Sequence, residues 1–243
     1  FASKKNKKVK NNMKIKYGMI LAAGFGKRMQ PITLKTPKPL IKVGNKNLLD
    51  RAIELLVNHG VEEIAINVHH LSDQIKNFIK KKQHKVKIIV FDEQDILLDT
   101  GGGILNATRT FKEPYIVVNP DTLWSNVYSD ELKKLENLYF KHSKPCLLLV
   151  NKKLSFDKSF MGDFNLRRSL ISRSDNNEFI FTGLQILDKS VFSSVTDKIF
   201  SMNKIWDYLI KDNCLYGIES KQKFYHLNTK EMYEKIFDIN LTD

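Results

Sequence analysis

Apolar residues along this chain alternate between short continuous runs and runs at helical spacing. Residues 17–23 form a short apolar run that ends in glycines, which reads as a buried strand. Leu48, Leu49, Ala52, Leu55 and Leu56 then recur at helical spacing over 48–58, and Gly60 stops that helix. The alternation continues with strands at 63–68, 86–91, 115–119 and 145–150. Helices fall between them at 72–82, 103–110 and 130–141. This βαβ rhythm predicts an α/β fold: a doubly wound, mostly parallel sheet with helices on both faces.

Beyond residue 150 the rhythm changes. Residues 161–166, 169–172 and 178–187 read as short strands, some antiparallel. A helix at 202–211, strands near 215–219 and 224–227, and a final helix from Thr229 follow. We read this mixed α+β portion as completing the sheet and covering its site, so that residues 16–243 form a single domain.

Charge alters the picture at one end. The 243 residues carry +13, but residues 1–16 hold seven lysines and no acid, leaving +6 on the rest. Residues 1–15 therefore read as a disordered basic tail or a leading remnant. The lysine excess that remains suits an acidic small substrate such as a phosphate ester and disfavours a nucleic-acid partner. At 42% hydrophobic and 28% charged, with no apolar run near the roughly 20 residues a bilayer span needs, the expectation is no membrane and a cytoplasmic protein, monomeric or homodimeric. Cys146 sits in an apolar strand-like run and reads as a buried free thiol.

Three segments carry candidate chemistry. Residues 21–40 read LAAGFGKRMQPITLKTPKPL. A strand ends at Ala22-Ala23, and Gly24 and Gly26 allow tight turns and close approach to a ligand. Exposed amides of such a loop cradle phosphates, and Arg28 and Lys38 place fixed cations at the strand's carboxyl end, where open α/β sheets bind ligands. This is neither a P-loop nor a complete dinucleotide fingerprint. Residues 99–105 read DTGGGIL, shortly after Glu93, where three glycines suit a backbone lying against a flat ligand. Residues 115–124 read YIVVNPDTLW, a buried strand that delivers Asn119 and Asp121 to the same edge. One or two carboxylates plus substrate phosphates are a common Mg²⁺ site.

Taken together, these segments resemble the signature of the sugar-1-phosphate nucleotidyltransferases. The match runs through Gly24, Gly26, Arg28, Met29, Pro31, Thr33, Pro37, Lys38 and Pro39. The resemblance implies a Rossmann-like, GT-A-like fold, a nucleoside triphosphate and a sugar 1-phosphate as partners, and Mg²⁺ or Mn²⁺ as cofactor. It implies nucleotide binding by Leu21, Ala22, Ala23, Gly24, Gly26, Lys27, Arg28, Gly101 and Gly102. Arg28, Lys38 and Asp121 would be catalytic, with Asp121 on the metal. Asn119, Asp163, Asn165 and Gly183 would contact the sugar.

The glycine triplet is similar to the branch of N-acetylmuramate-1-phosphate uridylyltransferases and mannose-1-phosphate guanylyltransferases, which points to UTP and N-acetylmuramate 1-phosphate. GTP with mannose 1-phosphate, a choline-phosphate cytidylyltransferase and a catalytically silent regulatory subunit are the alternatives. One departure stands out. Where the family has a second Asp, this chain has His226, followed by Asn228 in place of a glycine. Imidazole is a poor Mg²⁺ ligand, so His226 is a candidate metal ligand, phosphate contact or structural residue. Trp206 reads as core rather than ligand contact because it shares helical spacing with Leu209 and Ile210.

Overall fold

A computed structural model of the protein describes residues 13–94 and 96–237. Residues 1–12 of the expected tail lie outside the described residues. The strands are β1 (Tyr17–Ala22), β2 (Lys42–Val43), β3 (Lys46–Asn47), β4 (Glu63–Val68), β5 (Lys87–Asp92), β6 (Tyr115–Val118), β7 (Cys146–Asn151), β8 (Asn165–Arg167), β9 (Leu170–Ser172), β10 (Phe179–Leu187) and β11 (Tyr216–Ser220). The helices are α1 (Leu48–His59), α2 (Ser72–Lys82), α3 (Asp99–Ala107), α4 (Ser129–His142), α5 (Met202–Lys211) and α6 (Lys230–Phe237).

Nine strands form one sheet in the order β5-β4-β1-β6-β10-β7-β11-β9-β8. The β5-β4-β1-β6 half is wholly parallel, with Tyr17 opposite Glu63 on one side and Tyr115 on the other. Successive residues of a strand face opposite sides, and here both sides are covered. Ile20, Ile116 and Val118 join the core under α1, α2 and α4, whereas Met19 and Val117 join the core under α3 and α5. That is why these strands read as unbroken apolar runs. The antiparallel strand β10 lies between β6 and β7, and β8 and β9 make an antiparallel edge. Cys146 is buried and free, and burial pushes its thiol up to about 12. Among the described residues no helix is long and apolar enough to cross a membrane.

Four sequence expectations shift. The ordered chain begins before residue 16: Ile15 is buried, and its amide donates to Glu136 Oε1 at 2.7 Å. Helix α3 starts at Asp99 and contains all three glycines, four residues ahead of the expected start. Most of 161–166 is not strand, because Gly162 turns the backbone at φ 91°. Residues 224–227 form no strand either. Phe224 bridges Ser155 while His226 bridges Thr122, so the segment is threaded between two loops and bonds alternately to each.

Glu136 anchors the start of the fold. Its Oε1 also faces His59 Nε2 at 3.1 Å, in a pair almost closed to solvent. Burial pushes this carboxyl up, but His59, the Ile15 amide and Lys14 together outweigh it and hold it below the ordinary glutamate range. A carboxyl depressed in the folded state adds stability above its unfolded pKa and loses it as pH falls through the folded value. Glu136→Gln should therefore cost about 1–3 kcal/mol at pH 7. Thermal melts of the two proteins should converge below a pH of about 4. A constant gap down to pH 3 would refute the assignment.

Candidate active site

The carboxyl ends of β1, β4 and β6 open into a cleft of roughly 340 Å³. Leu21, Ala22, Ala23, Gly24, Gly26, Lys27, Arg28 and Lys38 all line it. The loop after β1 is built by a division of labour within the motif. Met29 and Pro39 are buried and pin the loop to the core, while Lys27 and Arg28 stay exposed. Gly26 is left-handed at φ 63°, and a Cβ there would sit 2.9 Å from Thr33 Cγ2. The Thr33 hydroxyl in turn donates to the Gly26 carbonyl at 2.9 Å. Among the described residues Arg28 has no hydrogen-bond or ion-pair partner, so its guanidinium lines the cleft uncommitted.

Asp121 follows β6 and sits where that cleft meets a second one. Its Oδ2 receives Lys38 Nζ at 2.7 Å and faces His226 Nε2 at 3.1 Å. Burial pushes the Asp121 carboxyl up. Lys38 and then His226 more than reverse this and hold it far below the usual carboxylate range, so it is ionised at any working pH. Its Oδ1 is buried without a hydrogen-bond partner, as are Asn119 Oδ1 and Asn228 Oδ1, and all three residues line the cleft. Buried polar atoms are ordinarily paired, so three unpaired oxygens on one cleft fit the oxygen chemistry of a hard divalent cation. Among the described residues no group of three or more His, Cys, Asp and Glu side chains gathers as a metal site. A cation here would rest on one carboxylate and draw its remaining ligands from amide oxygens, phosphates and water. His226 stands against the carboxylate, with its ring stacked on Phe224. Lys38 and His226 on Oδ2 thus leave Oδ1 as the free oxygen.

The second cleft, of roughly 200 Å³, shares Asn119 and Asp121 with the first. Gly183 lines it, and a Cβ there would lie 2.8 Å from that of Asn119. The β10 register shifts between Phe181 and Gln185, and Asp163 Oδ2 accepts the Phe181 amide at 2.8 Å. Asp163 therefore both lines the cleft and holds this irregular stretch. Trp206 is buried against Phe164 and Phe181 and also lines the cleft, so core and wall are one role here.

Two of the expected contacts line neither cleft. Gly101 and Gly102 are buried inside α3, and both amides donate to the Phe200 carbonyl at 2.9 and 3.1 Å. A Cβ on Gly101 would strike the Phe200 ring, and one on Gly102 the Lys198 carbonyl. A Cβ on Gly103 would meet Asn67 Nδ2 at 2.7 Å and Glu93 Oε1 at 2.9 Å. The triplet thus serves helix packing, while its neighbours Asp99 and Thr100 line the cleft. Gly102→Ala should cost about 1–3 kcal/mol of stability by overpacking, with the nucleotide KM of the folded fraction unchanged. A raised KM at wild-type stability would return the glycine to the ligand.

Asn165 is the second. Its side chain ties down the 174–178 turn, donating to Ser174 Oγ at 2.9 Å and to Asn177 Oδ1 at 3.1 Å and accepting from the Glu178 amide at 3.1 Å. It does not line the cleft.

Several lining residues escaped the sequence reading. Asn67 lines the first cleft and links its two walls, accepting the Ala22 amide at 2.9 Å and donating to buried Glu93 at 2.7 Å. Its signal was available: a polar side chain near the end of an apolar strand. Arg173 and Asn203 line the second cleft with no comparable signal.

The nucleotidyl transferase family model matches residues 17–152. This chain belongs to the nucleotidyl transferase family. The matched span contains β1, its glycine loop, Arg28, Lys38, Asp121 and the strands that carry them. An N-acetylmuramate alpha-1-phosphate uridylyltransferase of Caulobacter vibrioides is 28% identical over 87% of this chain and 91% of its own length. A mannose-1-phosphate guanyltransferase of Gibberella zeae is also 28% identical, over 83% of this chain but 58% of its own length. The fold is shared with the crystal structure of HddC from Yersinia pseudotuberculosis complexed with GMP-PN. That structure has a TM-score of 0.74 at 22% identity, over 92% of this chain and 99% of that one. As a nucleotidyltransferase, the protein is an enzyme.

Proposed function

We propose that this nucleotidyltransferase joins UTP to N-acetylmuramate 1-phosphate and releases pyrophosphate. The observation that carries the reaction type is the pair of clefts that meet at Asn119 and Asp121. One is lined by Lys27, Arg28 and Lys38 and suits a triphosphate; the other is walled by aromatic residues and suits a sugar. The choice of acceptor is supported by the Caulobacter relative, which matches this chain over nearly its whole length.

The acceptor phosphate is already anionic, so no base is needed. One of its oxygens bonds to the α-phosphorus as the bond from that phosphorus to the β-phosphate oxygen breaks. The electron pair leaves with pyrophosphate, and no proton moves. Catalysis is then positioning and charge neutralisation. Arg28 acts at the β/γ end of the triphosphate. Lys38, held at the junction by Asp121, acts on the phosphates nearer the attack. Asp121 Oδ1, with Asn119 and Asn228 beside it, would hold Mg²⁺, which would supply further neutralisation of phosphate charge. His226 acts by orienting the Asp121 carboxylate.

The test is pyrophosphate release with four nucleoside triphosphates crossed with N-acetylmuramate, mannose and glucose 1-phosphates and phosphocholine. Greatest kcat/KM for UTP with N-acetylmuramate 1-phosphate is the expected result. A preference for GTP and mannose 1-phosphate would move the assignment to the guanylyl branch. Tight nucleotide-sugar binding with no release from any pair would make the protein a regulatory subunit.

A further inference from the structure

Arg173 lines the acceptor cleft but not the nucleotide cleft, and the transfer just described gives it no task. It follows β9, and its guanidinium lies over the Phe164 ring, 4.5 Å from the centroid. Nη2 donates to Asn203 Oδ1 at 2.5 Å, and Nη1 pairs with Asp207. Asn203 and Asp207 are one turn apart on α5, so a single helix face and one aromatic ring hold the guanidinium in place. Asn203 lines the cleft with it, whereas Asp207 does not and its side chain is 60% exposed. Arg173 thus lines the acceptor cleft while its carboxylate partner sits outside it.

The other charges on this cleft are committed. Asp121 is paired with Lys38 and His226, and Asp163 accepts the Phe181 amide. Phe160, Ile180, Phe181 and Trp206 supply apolar wall. Asp207 and Asn203 take one N–H each from the guanidinium, and the three that remain on this oriented plane suit the two-oxygen geometry of a carboxylate better than that of scattered hydroxyls.

We propose that Arg173 recognises a carboxylate substituent on the sugar 1-phosphate, making the acceptor an acidic rather than a neutral sugar. The inference rests on the acceptor reading above and assigns the residue that enforces it.

The experiment compares N-acetylmuramate 1-phosphate with N-acetylglucosamine 1-phosphate, which lacks only the lactyl ether that bears the carboxylate. Wild type, Arg173→Met, Arg173→Lys and Asp207→Asn are assayed with UTP, alongside thermal melts. Wild type should prefer the carboxylated acceptor. Arg173→Met should raise KM for that acceptor roughly 10- to 100-fold, the scale of one charged hydrogen bond. Its kcat, its UTP KM and its kinetics with N-acetylglucosamine 1-phosphate should hold. Arg173→Lys, which keeps the charge and loses the fork, should fall between and serves where the methionine variant does not fold. Asp207→Asn should keep the preference, because the arginine remains.

Equal losses with both acceptors, or an Asp207→Asn defect as large as that of Arg173→Met, would reduce Arg173 to a tie between β9 and α5. A wild type with no preference for the carboxylated acceptor would overturn the acceptor reading and this inference together. A wild-type preference that survives Arg173→Met intact would overturn this inference alone.

Discussion

Asp121→Asn should leave a folded protein whose turnover falls on the order of 10³-fold at saturating Mg²⁺. The amide has nearly the shape of the carboxylate but none of its charge. Lys38 Nζ and His226 Nε2 both converge on Oδ2, at 2.7 and 3.1 Å. With a neutral partner Lys38 loses the ion pair that holds it at the junction of the two clefts. The unpaired Oδ1 also loses most of its attraction for a divalent cation. Nucleotide binding through the glycine loop and Arg28 should survive in part, so kcat should fall further than UTP affinity. Pyrophosphate release, with a thermal melt to confirm folding, reads both. Near-normal turnover at saturating Mg²⁺ would remove Asp121 from the reacting centre.

Arg28→Ala should lower kcat/KM by roughly 10²- to 10³-fold, the scale of a lost charge-stabilising donor. Its effect on stability should be near zero. The reason is the absence of any protein partner among the described residues: the guanidinium lines the cleft and holds nothing else together. Removing it therefore costs no packing and strands no buried charge. Arg28→Lys should recover part of the rate, since a point charge still neutralises phosphate but cannot grip two oxygens at once. Steady-state kinetics beside thermal melts separate the two variants. A large stability loss, or unchanged kcat/KM, would show that Arg28 serves the fold instead of the substrate. The comparison with Gly102 is direct: both residues sit in glycine-rich motifs, yet one is predicted to affect only rate and the other only stability.

The parallel half of the sheet was legible in the chain because strands buried on both faces leave apolar runs, unbroken in β1 and β6. The helices between them were legible because each buries only one stripe. The glycine loop could be read residue by residue, since a left-handed turn at Gly26 and exposed cations at Lys27 and Arg28 are local properties. Asp121 was legible for the same reason, standing just past the end of a buried strand.

Glycine has two uses that look identical in a sequence: it lets a ligand approach, or it lets another segment approach. Only the packing of 198–200 against α3 decided that Gly101 and Gly102 serve the second. The bonds of Asn165 were hidden likewise, because its partners lie in a turn about ten residues away. Residues 224–227 had strand composition but found a different loop on each side, and a ladder needs one continuous neighbour. Local residue choice thus determined the strands, the glycine loop and the carboxylate at their edge. The tertiary structure decided how His226 faces Asp121, which three oxygens on the first cleft remain unpaired, and that Arg173 lines the second cleft. Each of those depends on distant segments converging, and a contact between segments has no periodicity to announce it.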